Sequence, residues 1–161
     1  CGLLSGVKIT HEHEETRHRA YPSGGARYAP ELYISVRDVD HINDGIYHFN
    51  VRDDELEQLD TDPLQDDIAA MSVTNQPAAA PIIAIITAVL ARTEGKYGIR
   101  GYRYAHIASG HLVQNLLLCA EALALGGRPW GDILEEKLDA ALPLSESETT
   151  IYAALFGSVD R

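Results

Sequence analysis

The sequence predicts an α+β fold, a mostly antiparallel sheet flanked by helices. Two short segments rich in β-branched and aromatic residues, 32–36 and 45–51, are joined by a turn-rich link, the pattern of antiparallel neighbours. The run 82–90 is apolar on both faces and reads as a buried strand. The stretch 102–125 carries Ala105, Ala108, Leu112, Asn115, Leu116, Cys119 and Leu123 at spacings of three and four, the signal of a long helix.

The other elements follow in order. Residues 11–19 are polar and read as a solvated loop or a helix end. Tyr21, Pro22, Ser23, Gly24, Gly25 and Ala26 form a turn in which glycine permits positive φ. Segments 53–60 and 63–71 are short, acidic and predicted helical, and 75–81 is a loop. Lys96 and Tyr97 fall in a basic loop ahead of the long helix, which Gly126 and Gly127 stop. A short strand or loop at 129–133, an amphipathic helix at 134–142 and a closing strand at 150–156 complete the chain. There is no internal repeat, and all 161 residues read as one domain, residues 1–161.

Composition narrows the function. The net charge is −11, with 24 acidic and 13 basic residues, which argues against nucleic acid and anionic membrane surfaces as partners. The longest apolar run, 78–90, is broken by Pro81 and Thr87 and is too short to span a bilayer. Cys1 and Cys119 form no metal or redox spacing, so a reducing, cytoplasmic setting is the simplest reading. The His/Glu cluster at 11–18 lacks the zinc-protease pattern because position 15 is Glu15, and no metal is expected. His41, His48 and His106 read as ordinary strand, turn and helix residues. The start at Cys1, followed at once by Leu3 and Leu4, reads as a cut or processed chain that is N-terminally incomplete.

Four motifs could carry chemistry. Ser23 beside Gly24 and Gly25 offers a hydroxyl and unobstructed backbone N–H groups to a ligand, or is simply a tight turn. Lys96 and Tyr97 are both proton carriers, and Arg92, Arg100 and Arg103 nearby would favour a neutral lysine; alternatively they cap the next helix. Gln114 and Asn115 are costly in an apolar helix unless paired, while Gly110 allows another backbone or a ring to approach. Gly126, Gly127 and Arg128 could face a ligand beyond the helix end.

In order and spacing, five pieces resemble one family: Tyr21-Pro22-Ser23-Gly24-Gly25-Ala26-Arg27-Tyr28, Glu31-Leu32-Tyr33, Gly45-Ile46-Tyr47-His48-Phe49, the run from Lys96-Tyr97-Gly98 to Tyr104, and Gly110-His111-x-x-Gln114-Asn115-Leu116-Leu117-Leu118. Across roughly residues 20–157 the chain resembles the SagB/ThcOx-type branch of the nitroreductase superfamily. The resemblance implies a nitroreductase-like fold and an FMN-dependent oxidoreductase, a homodimer with flavin at the subunit interface. Its best-known members oxidise azoline rings in ribosomal peptides, so the substrate is expected to be a small molecule or a peptide. The alternatives are an NAD(P)H-dependent nitroreductase-like enzyme and a catalytically silent dimerisation or scaffold member of the same fold.

Carried over residue by residue, the resemblance makes Lys96 and Tyr97 catalytic. It puts Ser23, Gly24, Gln114, Asn115, Gly126 and Gly127 at the flavin and Arg161 at its phosphate. The arginine-rich segment that usually grips that phosphate would precede residue 1. Ala29 before Pro30, and Trp130, depart from the family pattern.

Overall fold

The structure, a computed structural model, describes residues 2–13 and 16–159. Arg161, expected at the cofactor phosphate, lies outside the described residues.

After a short 3-10 turn, Leu3–Gly6, come β1 (Ile9–His13) and β2 (Thr16–Arg19), which pair with each other antiparallel. The main sheet uses β3 (Pro30–Val36), β4 (Gly45–Asn50), β5 (Glu55–Asp60), β6 (Ile82–Val89), β7 (Leu125–Trp130) and β8 (Glu148–Ser158). Its six strands lie in the order β5-β4-β3-β6-β8-β7, every pair antiparallel. The helices are α1 (Gln65–Met71), α2 (Ala91–Tyr97), α3 (Arg100–Ala122) and α4 (Glu135–Ala141).

The period-2 pattern of the strands sends alternate side chains to opposite faces. Leu32, Ile34, Ala84, Ile86 and Phe156 pack against Ala108, Leu112, Val113 and Leu116 of α3. Tyr33, Ile46, Ile83, Ile85 and Ala153 pack on the other face with Ile68 of α1 and Leu138 of α4. The sheet is therefore covered on both sides, as the two apolar faces of β6 foretell. No helix among the described residues is long and apolar enough to cross a membrane.

Four expectations are corrected. Of the segment 11–19, residues 11–13 lie in β1 and 16–19 in β2 rather than a loop or helix end. Residues 55–60 form the edge strand β5, not a helix, although Glu, Leu and Gln favour helices. Pairing with β4 supplies the backbone hydrogen bonds, and the acidic side chains keep this edge in water. Lys96 and Tyr97 end the helix α2 rather than occupying a loop. Finally, α3 closes at Ala122 with Ala124 at φ 57, so Gly126 and Gly127 do not stop it; they lie inside β7, opposite Gly157 and Phe156.

Candidate functional site

The turn between β2 and β3 is held in an unusual shape. Gly25, Ala26 and Tyr28 have φ of 62, 52 and 44, and a bulky residue pays a steric penalty there. Such strain persists only where surrounding contacts enforce it, and here they are many. The Tyr28 N–H donates to Ser23 Oγ at 2.9 Å, and Arg92 donates to Tyr28 O at 2.9 Å. His111 donates to Pro22 O at 3.1 Å, and Asn115 Nδ2 to Ala20 O at 3.1 Å. Arg19 donates to Tyr21 Oη and lies over the Tyr28 ring, while burial, opposed by Arg19, pushes the Tyr21 phenol up to about 12. Gly24 and Gly25 remain exposed, so their backbone is open to a ligand.

Helices α2 and α3 close over this turn. A Cβ at Gly25 would collide with Tyr97 Oη and stand 3.3 Å from Lys96 Nζ. Beyond it, the Tyr97 ring meets Tyr104 edge-on at 4.9 Å, and a Cβ at Gly24 would lie 3.4 Å from Tyr104. The structure therefore brings Ser23, Gly24, Lys96 and Tyr97 together. The approach depends on Gly101: a Cβ there would sit 2.5 Å from the Glu94 backbone nitrogen, so only glycine lets the two helices cross this closely. Arg27 lies in the turn, Lys96 beside Gly25, and Arg100 and Arg103 in the first turn of α3; none of the four has an ion pair among the described residues, in a chain whose net charge is −11. Arg100 and Arg103 open α3, where the helix dipole disfavours cations.

The other expected residues lie elsewhere in the chain. Asn115 directs its amide to backbone, Gly6 O at 2.9 Å as well as Ala20 O, so its polar cost is met by tying the N-terminal segment to α3. Gln114 is exposed and has no hydrogen-bond partner among the described residues. Gly126 and Gly127 line a separate cleft of about 390 Å³ with Gln76, Arg128 and Phe156. A Cβ at Gly127 would lie 2.7 Å from Leu117 Cδ2. Tyr104 touches the Gly24 end and Leu117 the Gly127 end, so the two glycine groups are roughly 20 Å apart along α3.

A cleft of about 600 Å³ is on the opposite face of the sheet and contains none of the expected residues. It borders a titratable cluster that sequence reasoning missed. Half-buried Glu31 accepts from Arg92 and from His48 Nε2 at 3.3 Å, and His48 Nδ1 meets Glu57 at 3.1 Å. Burial opposes ionisation of Glu31, but the His48 hydrogen bond and the Arg92 charge outweigh it and hold the carboxyl below its usual range. The hydrogen bond to Glu31 raises His48, burial opposes it, and Glu57 adds to the rise. Hydrogen bonds from Asn50 and His48 lower Glu57. Alongside, Tyr33 and Thr87 donate to Glu148 at 3.2 and 2.6 Å, and burial with that carboxylate raises the Tyr33 phenol. Strand alternation offered one clue, since Glu31 and Tyr33 share a face and His48 lies opposite Tyr33.

The fold is an α+β architecture in which a glycine-lined turn meets Lys96 and Tyr97 of α2. The sequence pattern of the nitroreductase family matches residues 9–158, and the chain belongs to that family. It is 32% identical over 134 residues to the Methanocaldococcus jannaschii protein MJ1384, which bears the nitroreductase name, covering 83% of this chain and 68% of that one. It is 26% identical over 149 residues to the microcin B17-processing protein McbC of Escherichia coli, covering 88% of this chain and 55% of McbC. Among solved structures, an Anabaena variabilis protein classed as a nitroreductase superposes with a TM-score of 0.90 at 21% identity, over 98% of this chain and 34% of that one. The E. coli microcin synthetase McbBCD complex, bound to truncated pro-microcin B17, matches with a TM-score of 0.80 at 21% identity, over 99% of this chain and 63% of the matched one. These structural likenesses establish the nitroreductase-like α+β fold. The chain spans about half the length of McbC.

Proposed function

We propose that this chain is the catalytic domain of an FMN-dependent oxidoreductase that oxidises an azoline ring, or a ring of similar chemistry, in a peptide or small molecule. One observation carries the reading: Lys96 and Tyr97 meet over the exposed, side-chain-free backbone of Gly25, next to Ser23 and Gly24. The residues present suit the cofactor. The exposed backbone of Gly24 and Gly25 offers N–H groups, Tyr97 and Tyr104 offer aromatic surface, and the unpaired cations suit a phosphate. FMN, when bound, would supply a ring that accepts hydride.

The chain's own residues would do the rest. Ser23 Oγ is already fixed as the acceptor of the Tyr28 N–H, so its own proton is free to point outward to the cofactor. Conversion of an azoline to an azole removes one hydride and one proton from the ring. Lys96 Nζ would take the proton, and Tyr97 Oη beside it would orient the ring nitrogen or pass the proton to water.

A homodimer completes the site in this reading. Ile107, Gly110, Gln114 and Leu118 recur at spacings of three and four on the exposed side of α3, and a Cβ at Gly110 would meet nothing within 4 Å. This stripe, with Leu118 60% exposed, is where a second copy would dock. Gln114 would then lie at the interface, and the second copy's Gly126 and Gly127 would come up to the first copy's Ser23 and Gly24.

The test is direct. Purified protein should take up FMN, and with a synthetic peptide carrying one thiazoline it should yield product lighter by two hydrogens. Lys96→Ala and Tyr97→Phe should keep the flavin and lose most of that turnover. Protein that ignores added FMN, or variants that turn over normally, would defeat the proposal. The nitroreductase name of MJ1384 favours one other reading, reduction of a nitro compound with NAD(P)H. In that case the thiazoline would be untouched while NADPH is consumed.

A further inference from the structure

We infer that Glu57, His48 and Glu31 act through Arg92 as positioning residues, holding the Lys96-bearing helix α2 against the strained turn 22–28. The inference rests on the reading of Lys96 as the proton carrier, but its structural half can be measured without any turnover.

The relay is continuous. Asn50 Nδ2 donates to Glu57 Oε1 at 2.8 Å, and Glu57 Oε2 meets His48 Nδ1 at 3.1 Å. His48 Nε2 meets Glu31 Oε2 at 3.3 Å, and the other oxygen of Glu31 accepts from Arg92. Arg92 donates from the same Nη1 to Tyr28 O at 2.9 Å, and Tyr28 N donates to Ser23 Oγ at 2.9 Å. Arg92 and Lys96 are one helical turn apart, so they share a face of α2. That face runs from Glu31 and Tyr28 to Gly25, beside which Lys96 Nζ lies. The helix has only seven residues and is too short to be stable by itself. Its place is set by Gly101 on one side and by the Arg92 anchor on the other.

Both ring nitrogens of His48 face carboxylate oxygens. Only an imidazolium donates from both, so the relay is complete when His48 is charged. The groups around it are Glu31 and Tyr33 from β3, Glu57 from β5 and, through Glu31, Arg92 from α2. Arg19, Arg52, Asp53 and Glu148 line the same cleft. With three carboxylates and three arginines in that cleft, the two carboxylates bonded to His48 decide its state, and its pKa stands above the ordinary value. The anchor is therefore whole between the lowered titrations of Glu31 and Glu57 and the raised titration of His48. It loses one link as pH rises through the raised value.

The experiment is amide hydrogen exchange on the full chain, comparing His48→Gln, Glu31→Gln and Glu57→Gln with the wild type at matched pH. Amides 94–98 of α2 should exchange about tenfold faster in the first two variants and a few-fold faster in Glu57→Gln, with β6 unchanged. The wild-type advantage over His48→Gln should vanish as pH rises through the His48 titration. If Glu31→Gln fails to fold, the exposed Glu57→Gln and the His48→Gln pH series still decide. Unchanged α2 exchange, or equal acceleration in β6, would overturn the inference. In FMN-loaded protein with the thiazoline peptide, kcat should fall with the same pH limb in the wild type and lose that limb in His48→Gln, with KM unaltered. Should Lys96→Ala keep full turnover while the exchange result holds, the Lys96 chemistry fails and the anchoring of α2 stands.

Discussion

The two ends of α3 both press against glycines, but only one end is crowded with polar groups. Toward the N-terminal end, the turn 22–28 is fixed by Arg92 and His111, and Lys96 and Tyr97 lie over it. At the C-terminal end, Gly126 and Gly127 run along β8 and meet Leu117 and Phe156, with Arg128 bonded to Gln76 at 2.6 Å. The first end is preorganised, since its donors and acceptors hold one another in a strained backbone conformation. The second is a cleft edge without proton carriers. The difference explains why one protomer contains the candidate chemistry yet only part of the candidate cofactor residues around it.

The substitution with the largest expected effect attacks the crowded end through its scaffold. Gly101→Val places atoms against the Thr93 and Glu94 backbone, which cannot rotate away as a side chain can. Overpacking of this kind costs about 3 kcal/mol, a drop in Tm of roughly 6–12 °C. Flavin uptake should fall with it even at temperatures where the protein remains folded. A Tm within a degree of wild type would show that α2 is free to move away, and that the crowding at the Gly25 end is not fixed by this crossing.

The next test joins the two ends. Ile107→Glu with Leu118→Glu puts two like charges on the exposed stripe of α3, far from the core face formed by Ala105, Leu112 and Leu116. Thermal stability of the monomer should barely change. Sedimentation should show dissociation, and flavin affinity should fall about a hundredfold if each charge removes a central contact of the interface. A monomer that binds FMN as well as wild type would mean that one protomer's crowded end suffices.

Much of this architecture was legible in the sequence. The strands at 30–36, 45–50 and 82–89 and the helices α3 and α4 follow from hydrophobic period, because each buries a face, while α1 read as a short acidic helix. Residues 55–60 were not legible, since their composition favours a helix and only the β4 partner makes them a strand. The convergence of Ser23 and Gly24 with Lys96 and Tyr97 was legible only through family resemblance; nothing local ties positions so far apart. His111 and Asn115 could have been paired from their i,i+4 spacing, which puts both on the face that grips the turn. His48 read as an ordinary strand residue because its partners Glu31 and Glu57 come from two other strands.

The smallest contrast is the sharpest, because it makes the same change at both ends. Gly25 has φ 62 and its added Cβ would meet Tyr97 Oη, whose ring is held edge-on by Tyr104. Gly25→Ala therefore combines a backbone penalty of about 1 kcal/mol with displacement of Tyr97. Gly127 has no positive φ, and its Cβ would first touch Leu117 Cδ2, the far end of a flexible side chain. Gly127→Ala should cost about 1 kcal/mol, because half-exposed Leu117 can turn aside and only the buried Phe156 ring, 3.0 Å from the new Cβ, must give a few tenths of an ångström. FMN titration and thermal melts separate the two. Gly25→Ala should weaken flavin binding about tenfold, while Gly127→Ala stays within about threefold with Tm only a few degrees lower. Were the order reversed, the glycines of β7 rather than the turn would be the tighter boundary of the site, and the crowding around Gly25 would be structural alone.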